Sequence, residues 1–491
     1  MASTTIGTRI WSMATVLWNE GVGNRDYLEQ ITYLLFLKMA NEYSKPPFER
    51  NIGIPNGCDW DTLKQQTGSD LDSTYKGILD KLGIQTGMLG EIYGGAQNKI
   101  RNPAVLAKVI QMIDLETWTA LSQDVKGDVY EDLLEKTTAD AKAGAGQYFT
   151  PRALINAIVR CTSPKPDKTI ADPCCGSGGF LLASKSFIET NYKLNVNQKK
   201  FLKNKTFRGW EIEMGAYRTC LMNLFLHGIS DLDKQPPITR NDSLLNDPTL
   251  RFDYVLTNPP FGMKSNYTFT NDQGVQERED TVYNRQDFWA TSSNKQLNFV
   301  QHIHTLLKVC GVAAIVVPDN VLNASGAGET VRRKLLERTD FHTILRLPTG
   351  IFYAQGVKAN VIFFDKKAAS PKNQTNEVWI YDLRSDMHFT LKKNPLKESD
   401  LDDFVKCYNP ENRHDREETY SKENPTGRWR KFTYDEIIAR DKANLDIKWI
   451  ESTNDLSEVS LTDIMTSIRE KSNNITSAVA ELEKLISGIE E

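Results

Sequence analysis

The sequence lacks what a membrane-spanning or secreted protein needs. No apolar run reaches the ~20 residues that cross a bilayer. No basic stretch followed by an apolar segment opens the chain, so neither a membrane helix nor a signal peptide is expected. Cysteine is sparse, seven in 491 residues, with no CxxC pair; reduced thiols in a cytoplasmic protein are the expectation. The six histidines show no ligand spacing, and His302 and His304 would lie on different faces of a helix, so no metal site is expected. Positive charge is not in excess either. With 60 Lys and Arg against 64 Asp and Glu the formal net charge is −4. A basic face that grips nucleic acid unaided is therefore not expected, and any such contact is local or supplied by a partner.

What is present is ordinary globular material, 40% hydrophobic and 25% charged, with length for about three domains. Its most informative stretch is Asn258-Pro259-Pro260-Phe261, after Phe252-Asp253-Tyr254-Val255-Leu256-Thr257. Tyr-Val-Leu reads as a buried strand that two prolines stop. Proline also holds the residue before it extended, which puts Asn258 at the strand's C-terminal edge, where open α/β sheets bind ligands. An exocyclic amine would find an amide oxygen on Asn258, a carbonyl on Pro259 and a ring to stack on at Phe261. Those groups suit chemistry on a base taken out of its stack. By themselves they fit a capped turn equally well.

Taken in order, the first ~125 residues read as helical. Asp26 and Glu29 have capping-box spacing, followed by Leu28, Ile31, Leu35 and Met39 at helical intervals, while residues 83–103 read as irregular. Next comes Gln147-Tyr148-Phe149-Thr150-Pro151-Arg152, with Thr150 and Pro151 expected as N-cap and first residue of a helix whose free N–H groups can hold a carboxylate. Asp172-Pro173-Cys174-Cys175-Gly176-Ser177-Gly178-Gly179-Phe180 follows a short strand. It lacks both the third glycine of a dinucleotide loop and the Lys-Ser/Thr of a phosphate loop, so a smaller nucleoside-bearing ligand fits better. Glu211 ends the next strand, placed to accept from ribose hydroxyls, and the lysine-rich residues 195–205 read as a loop between. Asp242 follows a third strand and could accept from an adenine amino group. Residues 262–294 read as a mobile loop. Further strands at 312–317, 341–347 and 360–364 extend a β/α alternation, which implies a mainly parallel sheet. Phe352 is expected in the core, or else at the site's edge. Arg413–Arg416 and Arg428-Trp429-Arg430-Lys431 read as solvated surface that could touch phosphate. From Leu461 to Ile489 apolar residues recur at heptad spacing, a helix expected to pair with a second chain.

Together the motif at 147–152, the glycine loop and Asn258–Phe261, in that order, resemble the gamma group of S-adenosylmethionine (SAM) methyltransferases that modify adenine N6 in DNA. Over nearly the whole chain, most weakly at 51–101, the sequence is similar to the modification subunits of type I restriction–modification systems. The resemblance implies an α/β fold with a mostly parallel Rossmann-like methyltransferase sheet, an α-helical N-terminal domain and a C-terminal helical tail, divided at 1–125, 126–392 and 393–491. It assigns catalysis to Asn258, Pro259, Pro260 and Phe261. It gives the methionyl part of SAM to Asp172, Gly176, Ser177, Gly178 and Gly179, with Gln147, Tyr148, Phe149, Thr150, Pro151 and Arg152 closing over it. Glu211 takes the ribose and Asp242 the cofactor adenine. It further implies double-stranded DNA as substrate, two copies of this chain on one specificity subunit, and a restriction subunit as a further partner. A solitary adenine methyltransferase, a glutamine or RNA methyltransferase, and a SAM-binding scaffold are the alternatives.

Overall fold

The computed structural model describes residues 12–49, 52–120, 150–262, 266–270, 276–280, 282–352, 357–391, 393–450 and 472. Residues 147–149 and the heptad segment at 461–491, Ser472 apart, lie outside them.

Near the N-terminus, helix Asn24–Tyr43 is buried on most of its circumference, with Ile31, Leu34, Phe36 and Met39 at 1% exposure or less. A helix buried on most of its sides belongs in the centre of a bundle. Helix Pro103–Asp114 packs against it and helix Gly68–Gly83 packs on Pro103–Asp114 in turn, each turning one apolar stripe into the same core. Its start differs from the expected capping box. The N-cap is Gly23, and Asp26 lies in the first turn, where it pairs with Lys99 instead. The stretch read as irregular contains helix Gly87–Tyr93.

The rest of the described chain is built on strands β1 Ile170–Asp172, β2 Phe207–Glu211, β3 Ile238–Arg240, β4 Phe252–Thr257, β5 Asn266–Thr270, β6 Gln276–Asp280, β7 Leu307–Pro318, β8 Thr339–Arg346, β9 Ala359–Lys366, β10 Glu377–Asp382 and β11 Trp429–Thr433. Nine form one sheet in the order β11-β10-β8-β9-β7-β4-β1-β2-β3, and β5 and β6 form a separate hairpin within 262–294. Five of the sheet's pairings are parallel and three antiparallel, so the sheet is mixed but mainly parallel. The β/α alternation ends at β8. Among the described residues no helix separates it from β9, which inserts antiparallel between β7 and β8. The sheet also continues past residue 392, because β11 pairs with β10; the boundary expected at 392/393 runs through it. The lysine-rich segment is likewise ordered, as helix Val196–Asn204 with an Asn195/Gln198 capping box.

Helix Met214–Leu226 joins the helical domain to the sheet. Buried Arg218 donates to Tyr33 Oη (2.9 Å) and to the Gly94 carbonyl, and Tyr217 donates to Glu91 (3.0 Å). Phe225 meets Phe36 with ring centroids 5.2 Å apart. The same helix supports the glycine loop through Asn223 Nδ2, which donates to the Ser177 carbonyl at 2.9 Å. The basic clusters near the C-terminus are structural rather than free surface. Arg413 pairs with Asp365, Arg416 lies over the rings of Tyr408 and Trp429, and Arg428 donates to the Asp382 and Ser385 carbonyls.

Candidate active site

The sheet order sets the position of the site. From β1 the chain proceeds to β2 and β3 on one side, then returns to β4 on the other, so the crevice between β1 and β4 is a topological switch point. Asp172 ends β1, Glu211 ends β2, Asp242 follows β3 and Asn258 follows β4. All four line one cavity, with Gly176, Ser177 and Gly179 of the loop after β1. Thr150 and Arg152, at the start of helix Arg152–Thr162, line the same cavity. Thr150 is not the cap. The N-cap is Pro151 without a side-chain bond, and the Thr150 hydroxyl accepts instead from Asn258 Nδ2 at 2.8 Å. Asn258 Oδ1 is buried and has no hydrogen-bond partner among the described residues. An unpaired buried acceptor costs about 1–3 kcal/mol, so at a cavity wall it marks a group kept for a ligand.

The acids are held by the backbone they organise. Asp172 Oδ1 accepts from the Thr257 hydroxyl (2.6 Å) and the Cys174 N–H (3.0 Å). Glu211 Oε2 accepts from Gly176 N–H, and Oε1 accepts from Ile212 and Glu213 N–H. By lone-pair count only Oε2 retains capacity for a ligand hydroxyl. Asp242 Oδ2 accepts from the Tyr283 hydroxyl at 2.7 Å. Burial pushes the Asp172 carboxyl up to about 7, with the Glu211 charge adding to the rise and the Thr257 bond opposing it. Glu211 is raised too, chiefly by burial, against its three backbone donors. Two carboxylates that burial penalises, side by side, favour a ligand that brings positive charge.

Four expected residues do not line the cavity. Pro151 caps the helix, Pro259 is buried, and Gly178 faces the opposite way, where a Cβ would stand 3.1 Å from Cys220 Sγ and its φ of +85° suits glycine. Phe261 packs edge to face on buried Phe352, centroids 5.1 Å apart, so Phe352 is both core and neighbour of the site. Other residues that line or brace the site had no local signal. Trp210, Lys295 and Phe299 line the cavity, and Gln296 Nε2 donates to the Pro260 and Gly262 carbonyls at 2.9 and 2.8 Å, fixing the tetrapeptide from behind. Only the strand-end position of Trp210, next to Glu211, could have marked one of them.

This sheet, with an acid-lined cavity and an Asn-Pro-Pro-Phe turn at its switch point, defines a methyltransferase of the SAM-dependent class. The sequence matches the N-6 DNA Methylase family over residues 121–459 and the HsdM N-terminal domain over residues 6–113. It is 34% identical to the type I restriction enzyme StySJI methylase subunit of Salmonella typhimurium, across 97% of this chain and 94% of that one. A crystal structure of the type I restriction enzyme EcoKI M protein is similar at a TM-score of 0.55 and 30% identity, covering 99% and 96% of the two chains. A chain from a type I restriction–modification assembly shares the fold at a TM-score of 0.75 and 24% identity, covering 99% and 98%. The chain belongs to the N-6 DNA methylases and, within them, to the methylase subunits of type I restriction enzymes; it is an adenine-specific DNA methyltransferase subunit. Among the described residues no helix is long and apolar enough to cross a membrane.

Proposed function

We propose that the cavity between β1 and β4 holds SAM and that Asn258, with the Pro259 carbonyl, receives the target adenine amine. The observation that carries this reading is the orphaned Asn258 Oδ1 beside the acid-lined cavity. The residues fit the cofactor's charges. Asp172 and Glu211 suit a cationic ligand, while Arg152 and Lys295 supply positive charge for a carboxylate. Ser177, Gly176 and Gly179 would border the methionyl part, Glu211 a ribose hydroxyl and Asp242 the cofactor's base. When bound, SAM supplies an electrophilic methyl group on an already activated leaving group.

The protein's own task is the amine. An adenine amine is a poor nucleophile because its lone pair is conjugated into the ring. Asn258 Oδ1 and the Pro259 carbonyl would accept its two hydrogens and localise that lone pair, and the rigid turn would hold it in line for transfer. Phe261, backed by Phe352, offers a stacking face for the ring. The proton can leave after transfer, so the reading requires no strong base. The target sequence is chosen in a specificity subunit that carries two copies of this chain, with a restriction subunit as a further partner. The chain's net charge of −4 supports that division of labour. The heptad segment from Leu461 to Ile489 is proposed as the docking element.

Titration calorimetry with SAM tests the cofactor assignment. Ser177→Trp, which puts a large ring at the cavity wall, is expected to abolish binding while the protein stays folded. Native affinity in that variant would remove the assignment.

A further inference from the structure

We infer that Thr150 is a positioning residue for the methyl-transfer step, acting through Asn258 rather than on the cofactor. This rests on the proposed role of Asn258 and extends it to the group that orients the amide. A carboxamide has two chemically opposite ends on one rotatable plane. Only Oδ1 can accept from an adenine amine; with the plane reversed, Nδ2 would present a donor to a donor. Backbone restraint from Pro259 fixes the main chain of Asn258 but leaves the carboxamide torsion broad.

The structure holds that torsion with one bond, Asn258 Nδ2 to Thr150 Oγ1 at 2.8 Å. One Nδ2 hydrogen is thereby engaged, and among the described residues Oδ1 remains unpaired and buried. Thr150 is itself 8% exposed and lies 108 positions away in sequence, so the bond is tertiary. The backbone that carries the hydroxyl is anchored. Pro151 fixes the chain direction just after Thr150, and the Pro151 carbonyl opens helix Arg152–Thr162 by accepting from the N–H of Leu154 (3.0 Å) and Ile155 (3.1 Å). The helix then buries Leu154 and Ile158 completely, which pins its start against the core. The hydroxyl is thus presented by a rigid helix start. The motif at 147–152 contributes in this way to nucleophile orientation as well as to the cavity wall.

The test uses the chain assembled with its specificity subunit and DNA carrying the site. Thr150→Val preserves shape and removes the hydroxyl; kcat is expected to fall about 10- to 100-fold, the cost of a misplaced reacting group. SAM affinity by calorimetry and the melting temperature are expected to stay near wild type. Thr150→Ser, which keeps the hydroxyl, is expected to recover most of kcat. Native kcat in Thr150→Val, with Asn258→Ala inactive, would overturn the inference and leave the role of Asn258 standing. Weakened SAM binding with unchanged kcat would overturn it in favour of a cofactor contact. An active Asn258→Ala would overturn both.

Discussion

Asp172→Asn isolates the electrostatic cost of building this site. Both bonds to the side chain, from the Thr257 hydroxyl and the Cys174 N–H, reach the same oxygen, Oδ1. Asparagine can accept both through its own amide oxygen, so the substitution removes charge and spares the hydrogen bonds. The native carboxyl titrates at about 7 in the fold, against a usual 3.8 in the unfolded chain. Between those values the native state binds the extra proton, so stability falls as pH rises through the window and the full penalty stands above pH 7. At ~1.36 kcal/mol per pH unit the penalty is about 2 kcal/mol at pH 5 and about 4 kcal/mol at pH 8, as a ceiling that water entry and loop relaxation reduce. Asp172→Asn should therefore melt higher than wild type at pH 8 and much closer to it at pH 5. Titrating groups not coupled to Asp172 cancel in the comparison. SAM should bind the variant about ten-fold or more weakly at pH 8, since a cationic ligand loses its counter-charge, a loss of at least ~1.4 kcal/mol. A variant no more stable at pH 8 than wild type, or equal gains at both pH values, would refute the reasoning.

Three further outcomes are expected. Arg218→Met removes the donor shared by Tyr33 and the Gly94 carbonyl and should destabilise the chain by about 2–3 kcal/mol, read as a lower urea midpoint. Phe261→Ala should reduce transfer with little change in SAM affinity, because it removes a stacking face worth ~1–3 kcal/mol per base in single-strand binders; single-turnover kinetics and calorimetry separate the two. Deleting residues 461–491 should abolish assembly with the specificity subunit while SAM binding persists, which light scattering after size exclusion will report; assembly that survives the deletion removes the docking role from the heptad helix.

Much of the site was legible because several of its residues end or directly follow a strand. Asp172 and Glu211 close β1 and β2, and Asn258 follows β4 directly, so reading the strands located the chemistry. Local spacing was less informative where tertiary contacts decide. The glycines of 87–94 look like helix breakers, yet Gly90 lies in a helix, and it is glycine because a Cβ there would overlap the Gln85 carbonyl. Lysine content alone does not mark a loop: residues 196–204 form a helix held at its start by the Asn195/Gln198 capping box. Strand direction is not encoded in hydrophobic runs, so antiparallel β9 could not be told from a parallel strand. Arg413 and Arg416 resemble surface charge because their partners, Asp365 and Thr343, lie about 50–70 positions away, beyond what local pattern reading reaches. Thr150 shows the same limit: its helix-start signal was real, but its partner is Asn258.

The most direct test of the central claim is mass-spectrometric measurement of N6-methyladenine in site-bearing DNA, after incubation with SAM and the assembled complex, for wild type and Asn258→Ala. The account predicts N6-methyladenine with wild type and none above background with Asn258→Ala, although that variant still binds SAM. Methylation by Asn258→Ala at the wild-type rate, or methyl groups found on a base atom other than adenine N6, would contradict it.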